Sequence, residues 1–219
     1  MICVSIGKIS YPDLLVLLNN EQLVEIRLDL NNFSDDEIRA IFSSKAETIA
    51  TCRPGTFTET ERIEKLKICI EAGASYVDLE LETGEEYLKE LSTLSGENGC
   101  KIIISYHDHE KTPSSSELKM IYRSCSEKGA DVIKIVCNII SGSDNARLLS
   151  LYDKVDLSEK IPLIAIGMGE KGKITRIAAP LLGAPFTYAS SDDGKETAKG
   201  QIGKSVLKEI YKLITDEKN

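Results

Sequence analysis

A lysine in the middle of an apolar segment is the residue of this chain best suited to covalent chemistry. Lys134 lies in the stretch 130–137, Ala-Asp-Val-Ile-Lys-Ile-Val-Cys, where five of eight residues are aliphatic. Such a run is typical of a strand buried on both faces. Lysines are rarely fully buried, and removing an amine from water favours its neutral, nucleophilic form. The alternative is a lysine that extends to water or pairs with a carboxylate.

A histidine that could move protons ends the preceding apolar run. His107 is one of only two histidines in the chain and follows residues 102–106, Ile-Ile-Ile-Ser-Tyr. Histidine titrates near neutral pH and can act as both acid and base. For the second, His109, which is followed by Glu110, a hydrogen bond within a loop is the preferred interpretation.

Charged residues alternate with apolar ones in two other runs. Glu25, Arg27 and Asp29 share one face of the second run, and Asp78 and Glu80 share one face of the fourth. In a barrel strand these faces point inward, where the charges must compensate one another. A purely structural ion network is the alternative.

Two further arginines occupy positions suited to an anion. Arg53 comes just before Pro54, which ends its strand, and Arg176 lies at the start of a helical pattern. A guanidinium beside a helix N-terminus favours a carboxylate. Residues 190–199 contain no large apolar side chain and are predicted to form a mobile lid, with a plain surface loop as the alternative.

Eight short apolar runs, alternating with amphipathic segments, must position these residues. Strands are predicted at 2–6, 23–28, 47–52, 76–81, 101–106, 132–136, 163–166 and 185–188. Helices are predicted at 35–44, 59–72, 85–95, 114–128, 142–152, 174–182 and 200–214, and a frayed tail at 216–219. This alternation predicts an α/β fold, a single (βα)8 TIM barrel domain over residues 1–219. A doubly wound open sheet is the alternative, but the first strand lacks the Gly-rich turn that such a sheet uses.

Composition excludes several classes of function. The net charge is −8 and the pI is near 5.0, which argues against nucleic-acid and anionic-membrane surfaces. No apolar stretch approaches the length of a membrane span, and the N-terminus does not resemble a signal peptide. The six cysteines form no CxxC pair, and with two histidines they predict no metal site. We interpret them as reduced thiols of a cytoplasmic protein.

Taken in order, these motifs resemble the type I 3-dehydroquinate dehydratases, enzymes of the shikimate pathway. The resemblance covers essentially the whole chain. It rests on Glu25-Ile-Arg27-Leu-Asp29, Thr51-Cys-Arg53, Asp78-Leu-Glu80, Ser105-Tyr-His107-Asp108, Lys134-Ile-Val, Gly172-Lys-Ile-Thr-Arg176 and Gly200-Gln201-Ile202.

The resemblance implies a lyase that converts 3-dehydroquinate to 3-dehydroshikimate through a Schiff base, or imine, on Lys134. His107 then removes the C2 proton, protonates the departing C1 hydroxyl, and assists imine formation and hydrolysis. Glu25 orients this histidine and contacts substrate hydroxyls. The resemblance also implies no metal, no cofactor and a homodimer.

The same resemblance implies a set of substrate-binding residues. Arg53 binds ring hydroxyls, Arg176 binds the substrate carboxylate, and lid residues close over the substrate. The lid and remaining pocket residues are Thr197, Gln201, Ser5, Arg27 and Met168. The chain departs from the family pattern at Lys199, where proline is common in the lid, and at Tyr188, where phenylalanine is common in the pocket wall.

Two rival functions remain at this point. A class I aldolase also uses a barrel lysine and an imine, but it often acts on phosphorylated substrates. The pairing of His107 with Lys134 on neighbouring strands, and the lack of a Gly-rich phosphate loop after the last two strands, favour the dehydratase. A catalytically inactive barrel that serves as a binding protein is the second rival, and an activity assay distinguishes it.

Overall fold

The strands of the computed structural model, which describes residues 1–154, 161–192 and 196–215, are all parallel. They are β1 Ile2–Ile6, β2 Leu23–Arg27, β3 Glu47–Thr51, β4 Tyr76–Glu80, β5 Lys101–Asp108, β6 Val132–Asn138, β7 Leu163–Met168 and β8 Thr187–Ser190. Their order is β7-β6-β5-β4-β3-β2-β1-β8, a nearly closed eight-stranded barrel. The predicted fold is confirmed, and every predicted strand is present.

Helices follow the strands in alternation and pack around the barrel. They are α1 Tyr11–Leu18, α2 Asp35–Phe42, α3 Glu59–Glu71, α4 Glu85–Asn98, α5 Ser115–Glu127, α6 Gly142–Leu149, α7 Leu151–Lys154, α8 Lys173–Leu181 and α9 Lys204–Ile214. Short 3-10 helices occupy Leu28–Leu30 and Glu170–Gly172. Within the described ranges, no helix is both long enough and apolar enough to cross a bilayer.

Three helical predictions need correction. Helix α1 was not predicted, because its residues 14–18 are apolar on every side and show no helical period, although Ser10 caps its first turn by accepting a hydrogen bond from the Asp13 amide. The helix predicted at 142–152 is divided at Ser150. The helix predicted at 200–214 starts only at Lys204, because residues 200–203 belong to the lid connection. The predicted tail, 216–219, lies outside the described residues.

Reciprocal capping boxes fix where several helices begin. The Ser34 hydroxyl accepts a hydrogen bond from the Glu37 amide, and the Glu37 carboxylate accepts one from the Ser34 amide. Thr58 and Glu61 exchange the same two hydrogen bonds at the start of α3. Each box satisfies amides that the first helical turn leaves free. Each box therefore fixes the residue at which its helix begins.

Alternation along β6 places Lys134 inside the barrel. Val132 and Val136 belong to the apolar cluster of the barrel interior, whereas Ile133 and Ile135 belong to the larger cluster between strands and helices. Successive strand side chains point to opposite faces, so Lys134 points inward with the two valines.

The same alternation turns charged side chains of neighbouring strands into the barrel. Glu25 and Arg27 of β2, Asp78 and Glu80 of β4, and His107 of β5 lie on the inner face. Below them, toward the N-terminal ends of the strands, an apolar plug fills the interior. Its members include Leu23, Ile49, Ile103, Ile164 and Phe186.

A close backbone approach fixes the corner between β7 and α8. A Cβ built on Gly172 would lie 2.4 Å from the carbonyl carbon and oxygen of Gly167. The Thr175 hydroxyl accepts from the Gly167 amide at 2.7 Å and donates to the Gly172 carbonyl at 2.7 Å. This corner determines where Arg176, one residue further on, enters the barrel mouth.

We expect Gly172→Ala to lower the free energy of unfolding by about 1–3 kcal/mol, since backbone atoms of Gly167 must move to admit the methyl group. Gly96→Ala is the matched control. Gly96 lies exposed in α4 with no atom near its Cβ position, and alanine there should raise the free energy of unfolding by roughly 0.5–1 kcal/mol. Urea unfolding of both variants tests this, and equal stabilities would contradict it.

Candidate active site

A cavity of about 910 Å³ opens at the C-terminal ends of the strands. Nearly all of the predicted site residues line it: Glu25, Arg27, Arg53, His107, Lys134, Met168, Arg176, Thr197 and Gln201. Ser5 is buried directly behind this wall, where it contacts Glu25 and Thr197. His109, which we interpreted as a loop residue, also reaches the cavity. The fold therefore brings together residues from β1, β2, β5, β6 and β7, from the loops after β3 and β5, from α8 and from the lid.

The amine of Lys134 is buried and paired. Lys134 is 5% exposed, and its Nζ donates to Asp78 Oδ2 at 2.9 Å and to Glu25 Oε1 at 3.3 Å. Of the two alternatives considered for this lysine, extension to water is wrong, because the side chain is buried. Pairing with a carboxylate is confirmed. The two ion pairs hold Nζ at the base of the cavity, where an entering carbonyl carbon would meet it.

Glu25 connects the lysine to two hydroxyl groups. Its carboxylate accepts from the Ser5 hydroxyl and, at 3.1 Å, from the Thr51 hydroxyl. Burial alone would raise the pKa of Glu25, but the positive charges led by Lys134 outweigh burial and lower that pKa. Glu25 is therefore a carboxylate throughout the neutral pH range.

Asp78 is the most connected carboxylate of the site, and we had given it no role. Its Oδ2 accepts a hydrogen bond from Lys134 and a second, at 2.8 Å, from Arg53 Nη2. Its Oδ1 accepts a hydrogen bond from Arg53 Nη1 at 3.0 Å and another from the Ser105 hydroxyl at 2.6 Å. Burial opposes ionisation, but Arg53 and Lys134 hold the pKa of Asp78 well below its usual range. The alternating charges on β4 indicated its inward direction but not its partners.

His107 is held by Glu80. The His107 Nδ1 lies 3.2 Å from Glu80 Oε2, and the other oxygen of Glu80 accepts from Arg53 Nη1 at 2.5 Å. The carboxylate assigns the ring proton to Nδ1 and leaves Nε2 as the acceptor. The resemblance implies that Glu25 orients His107. Among the described residues, however, the carboxylate hydrogen-bonded to His107 is that of Glu80.

The imidazole of His107 is neutral at physiological pH. Burial and the neighbouring Arg53 guanidinium lower the pKa of His107 to about 4, although the hydrogen bond that His107 donates to Glu80 raises it. Ser105, two residues earlier on β5, pairs in register with Lys134. The neutral base His107 and the buried amine of Lys134 therefore lie on adjacent strands of one cavity, with His107 two residues closer to the C-terminal end of the barrel.

The charged face predicted for the second strand is divided into two groups. Strand β2 ends at Arg27, and Asp29 lies in the following 3-10 helix. Arg27 donates to Asp29 from Nε at 2.9 Å and from Nη2 at 2.6 Å, and the Arg53 amide donates to the same carboxylate at 3.1 Å. Only Glu25 of the three reaches Lys134, because the chain turns before Asp29 can continue the strand face.

Arg176 lies under the lid. It is 2% exposed, and its guanidinium donates to the Gly200 carbonyl at 3.0 Å and to the Tyr188 carbonyl at 3.2 Å. Burial lowers the pKa of Arg176 to about 10, against the opposing charges of Glu196 and Glu25, so the group remains a cation at neutral pH. Its position in the first turn of α8 is the predicted one.

The described part of the predicted lid contacts both sides of the cavity. The Thr197 hydroxyl lies 2.6 Å from the Ser5 hydroxyl, and the Thr197 amide donates to the side chain of Gln201 at 2.8 Å. On the other side, the Gly169 amide donates to the Lys199 carbonyl at 3.1 Å. Residues 193–195 of the predicted lid lie outside the described residues, and its mobility stays a prediction.

Metal ligands do not assemble in the part of the chain that the structure describes. No group of three or more histidine, cysteine, aspartate or glutamate side chains there could hold a metal ion. The six cysteines, all within that part, are buried free thiols.

Comparison with known proteins agrees with this geometry. The family model for type I 3-dehydroquinase matches residues 2–218. A 3-dehydroquinate dehydratase of Desulfotalea psychrophila is 34% identical over 220 residues, covering 96% of this chain and 96% of the relative. That of Methanococcus maripaludis is 40% identical over 201 residues, covering 88% of each. The crystal structure of the Aquifex aeolicus 3-dehydroquinate dehydratase superposes with a TM-score of 0.80 at 29% identity, covering 97% of this chain and 98% of that one.

We expect His107 to titrate near pH 4 in the free protein, because burial and the Arg53 charge disfavour the imidazolium form. Nuclear magnetic resonance of ¹⁵N-histidine in the His109→Gln variant, which retains a single histidine, measures this directly. A midpoint at or above about 6.5, the value of an unperturbed histidine, would contradict the expectation.

Proposed function

The chain belongs to the type I 3-dehydroquinase family, and we propose that it acts as a 3-dehydroquinate dehydratase through an imine on Lys134. Such an enzyme is a hydro-lyase of the shikimate pathway. One observation carries the mechanism: a buried amine and a neutral imidazole occupy neighbouring strands of one cavity. These are the two groups that imine chemistry with proton transfer requires.

Imine formation begins with the amine of Lys134. The neutral nitrogen attacks the C3 ketone carbon of 3-dehydroquinate, and loss of water from the resulting carbinolamine leaves a protonated C=N bond. The amine must first release a proton. His107 is the neutral base of the same cavity, and we assign it to the proton transfers of this stage.

Elimination follows on the imine. The protonated C=N bond withdraws electrons from C2, so that His107 Nε2 removes the C2 proton. The electron pair of that C–H bond forms the C1=C2 double bond through the enamine, and the C1 hydroxyl leaves with a proton from His107 as water. Hydrolysis of the imine then releases 3-dehydroshikimate and restores Lys134.

Glu80 supports His107 through this sequence. When Nε2 gains a proton, the imidazolium is stabilised by the carboxylate already bonded to Nδ1. The Glu80 charge is shared with Arg53, so it partly compensates two cations. The neutral ring of the free protein can therefore accept a proton without moving.

Asp78 and Glu25 act as fixed counter-ions of the reacting nitrogen. The ammonium and the protonated imine both carry one positive charge at nearly the same place. The lowered pKa values of both carboxylates keep them ionised beside it. Glu25 also remains the candidate for contact with substrate hydroxyls.

Substrate binding is assigned to the polar wall of the cavity. We assign the substrate carboxylate to Arg176, a cation beneath the lid whose guanidinium can bind a carboxylate bidentately. Arg53 is the candidate for ring hydroxyls, although its Nη1 already donates to Asp78, Glu80 and Ser105. The remaining contacts are assigned to Ser5, Arg27, Met168, Thr197 and Gln201.

A homodimer in the cytoplasm completes the proposal. The outer helices α8 and α9 expose apolar side chains at seven-residue spacing, Ile174 with Leu181 and Val206 with Leu213, each about half exposed or more. Exposed apolar patches on neighbouring elements are typical of protein interfaces, and a second copy would cover them. The buried free cysteines support a reducing compartment.

We expect borohydride treatment in the presence of 3-dehydroquinate to attach substrate carbon irreversibly to Lys134, because reduction converts the imine to a stable secondary amine. Peptide mass spectrometry locates the adduct. Lys101→Met, at the opposite end of the barrel, is the control that should still be labelled. Absence of an adduct on Lys134 in the wild-type protein would contradict the imine mechanism.

We expect His107→Ala to form the Lys134 adduct and yet lose about 10²–10⁴-fold in turnover, the usual contribution of a general acid–base. Absorbance of the conjugated product measures the rate. Lys101→Met, which changes a residue at the opposite end of the barrel, is the control and should retain most of the activity. Near-normal turnover in His107→Ala would count against the assignment.

A further inference from the structure

The ring of Tyr188 lies against the reacting amine. The Nζ of Lys134 is 4.2 Å from the centroid of the Tyr188 ring, well within the roughly 6 Å range of a cation–π contact. Tyr188, on β8, is 3% exposed, and Lys134 is 5% exposed. Contacts of this kind are strongest when both partners are removed from water.

The hydroxyl of Tyr188 does not explain its place in the site. Among the described residues, the buried Oη has no hydrogen-bond partner. Burial, together with the negative charge of Glu25, raises the pKa of Tyr188 well above its usual value, so the group stays a neutral phenol. It cannot serve as an anionic partner for the lysine, and an unpaired buried hydroxyl disfavours folding. The contribution of Tyr188 must come from its ring.

We propose that the Tyr188 ring is a positioning element for Lys134 that holds the nitrogen by a cation–π contact in both the ammonium and the protonated-imine states. The inference rests on the proposed function. Glu25 from β2 and Asp78 from β4 attract the same nitrogen, and the ring from β8 adds a contact without a further charge. A long, flexible lysine stem is thereby restricted to one direction of approach.

Packing alone is the competing explanation. The Tyr188 ring also meets Phe186 edge to face, with centroids 5.6 Å apart, and both belong to the apolar cluster of the barrel interior. Phe186 is equally buried but has no cation–π contact with Lys134 among the described contacts. The two rings therefore form a matched pair, one next to the cation and one away from it.

The test measures the single-turnover rate of borohydride-trapped adduct formation on Lys134, together with kcat and KM. We expect Tyr188→Leu to slow trapping by about 3- to 30-fold, the range that cation–π contacts span from exposed to desolvated sites. Tyr188→Phe keeps the ring and should restore trapping to within about twofold of wild type, with a higher urea midpoint because the unpaired hydroxyl is gone. Phe186→Leu should lower the urea midpoint and leave trapping by the folded protein nearly intact.

Fluorinated phenylalanines at position 188 provide a second measurement that preserves the shape of the side chain. Each added fluorine weakens the attraction of the ring face for a cation, so the logarithm of the trapping rate should fall in steps. The same fluorinated residues at position 186 should leave the trapping rate unchanged. A trapping rate that does not change with fluorination at position 188, or equal slowing by Tyr188→Leu and Phe186→Leu, would overturn the inference. Failure of the wild-type protein to form an adduct would instead refute the proposed function.

Discussion

Lys134 and Arg53 share the carboxylate of Asp78 inside the barrel, and the rest of the site depends on this arrangement. A cation in an apolar interior is costly unless a counter-charge and hydrogen bonds compensate it. Asp78 supplies both, with each oxygen bonded to Arg53 and one also to Lys134. Arg53 in turn brings Glu80 to its place, and Glu80 holds His107. The nucleophile and the base are thus ordered by one continuous set of ion pairs, and the Arg53 charge also contributes to the neutrality of the histidine.

Strand periodicity predicted much of this arrangement, because side chains that alternate along a strand must alternate between core and helix layer. It placed the eight strands, and it predicted the inward direction of Glu25 on β2 and of Asp78 and Glu80 on β4. It could not predict which carboxylate meets which cation. That depends on the stagger between strands, and it is why Glu80 rather than Glu25 holds His107. The ring of Tyr188 beside Lys134 was missed because β6 and β8 are not hydrogen-bonded to each other, so the pattern along either strand does not show that their side chains meet inside the barrel.

Local rules failed where tertiary packing outweighed them. Helix α1 contains a run that is apolar on every side, and only its capping residue distinguishes it from a strand. The strand pattern of Glu25, Arg27 and Asp29 was broken by a 3-10 helix after Arg27, so the predicted common face became an inner carboxylate and a separate arginine–aspartate pair. In both cases the sequence period predicts the face of a residue only within the helix or strand to which the residue belongs. It does not predict where that helix or strand begins and ends.

The lid is attached to the β7 side of the cavity through its backbone. The Lys199 carbonyl accepts from the Gly169 amide, and a Cβ on Gly200, whose φ is +80°, would meet the Gly169 oxygen at 2.4 Å. The bond at position 199 uses only the backbone carbonyl, so it does not depend on which side chain stands there. At position 200, by contrast, any residue other than glycine would force the lid backbone away from Gly169.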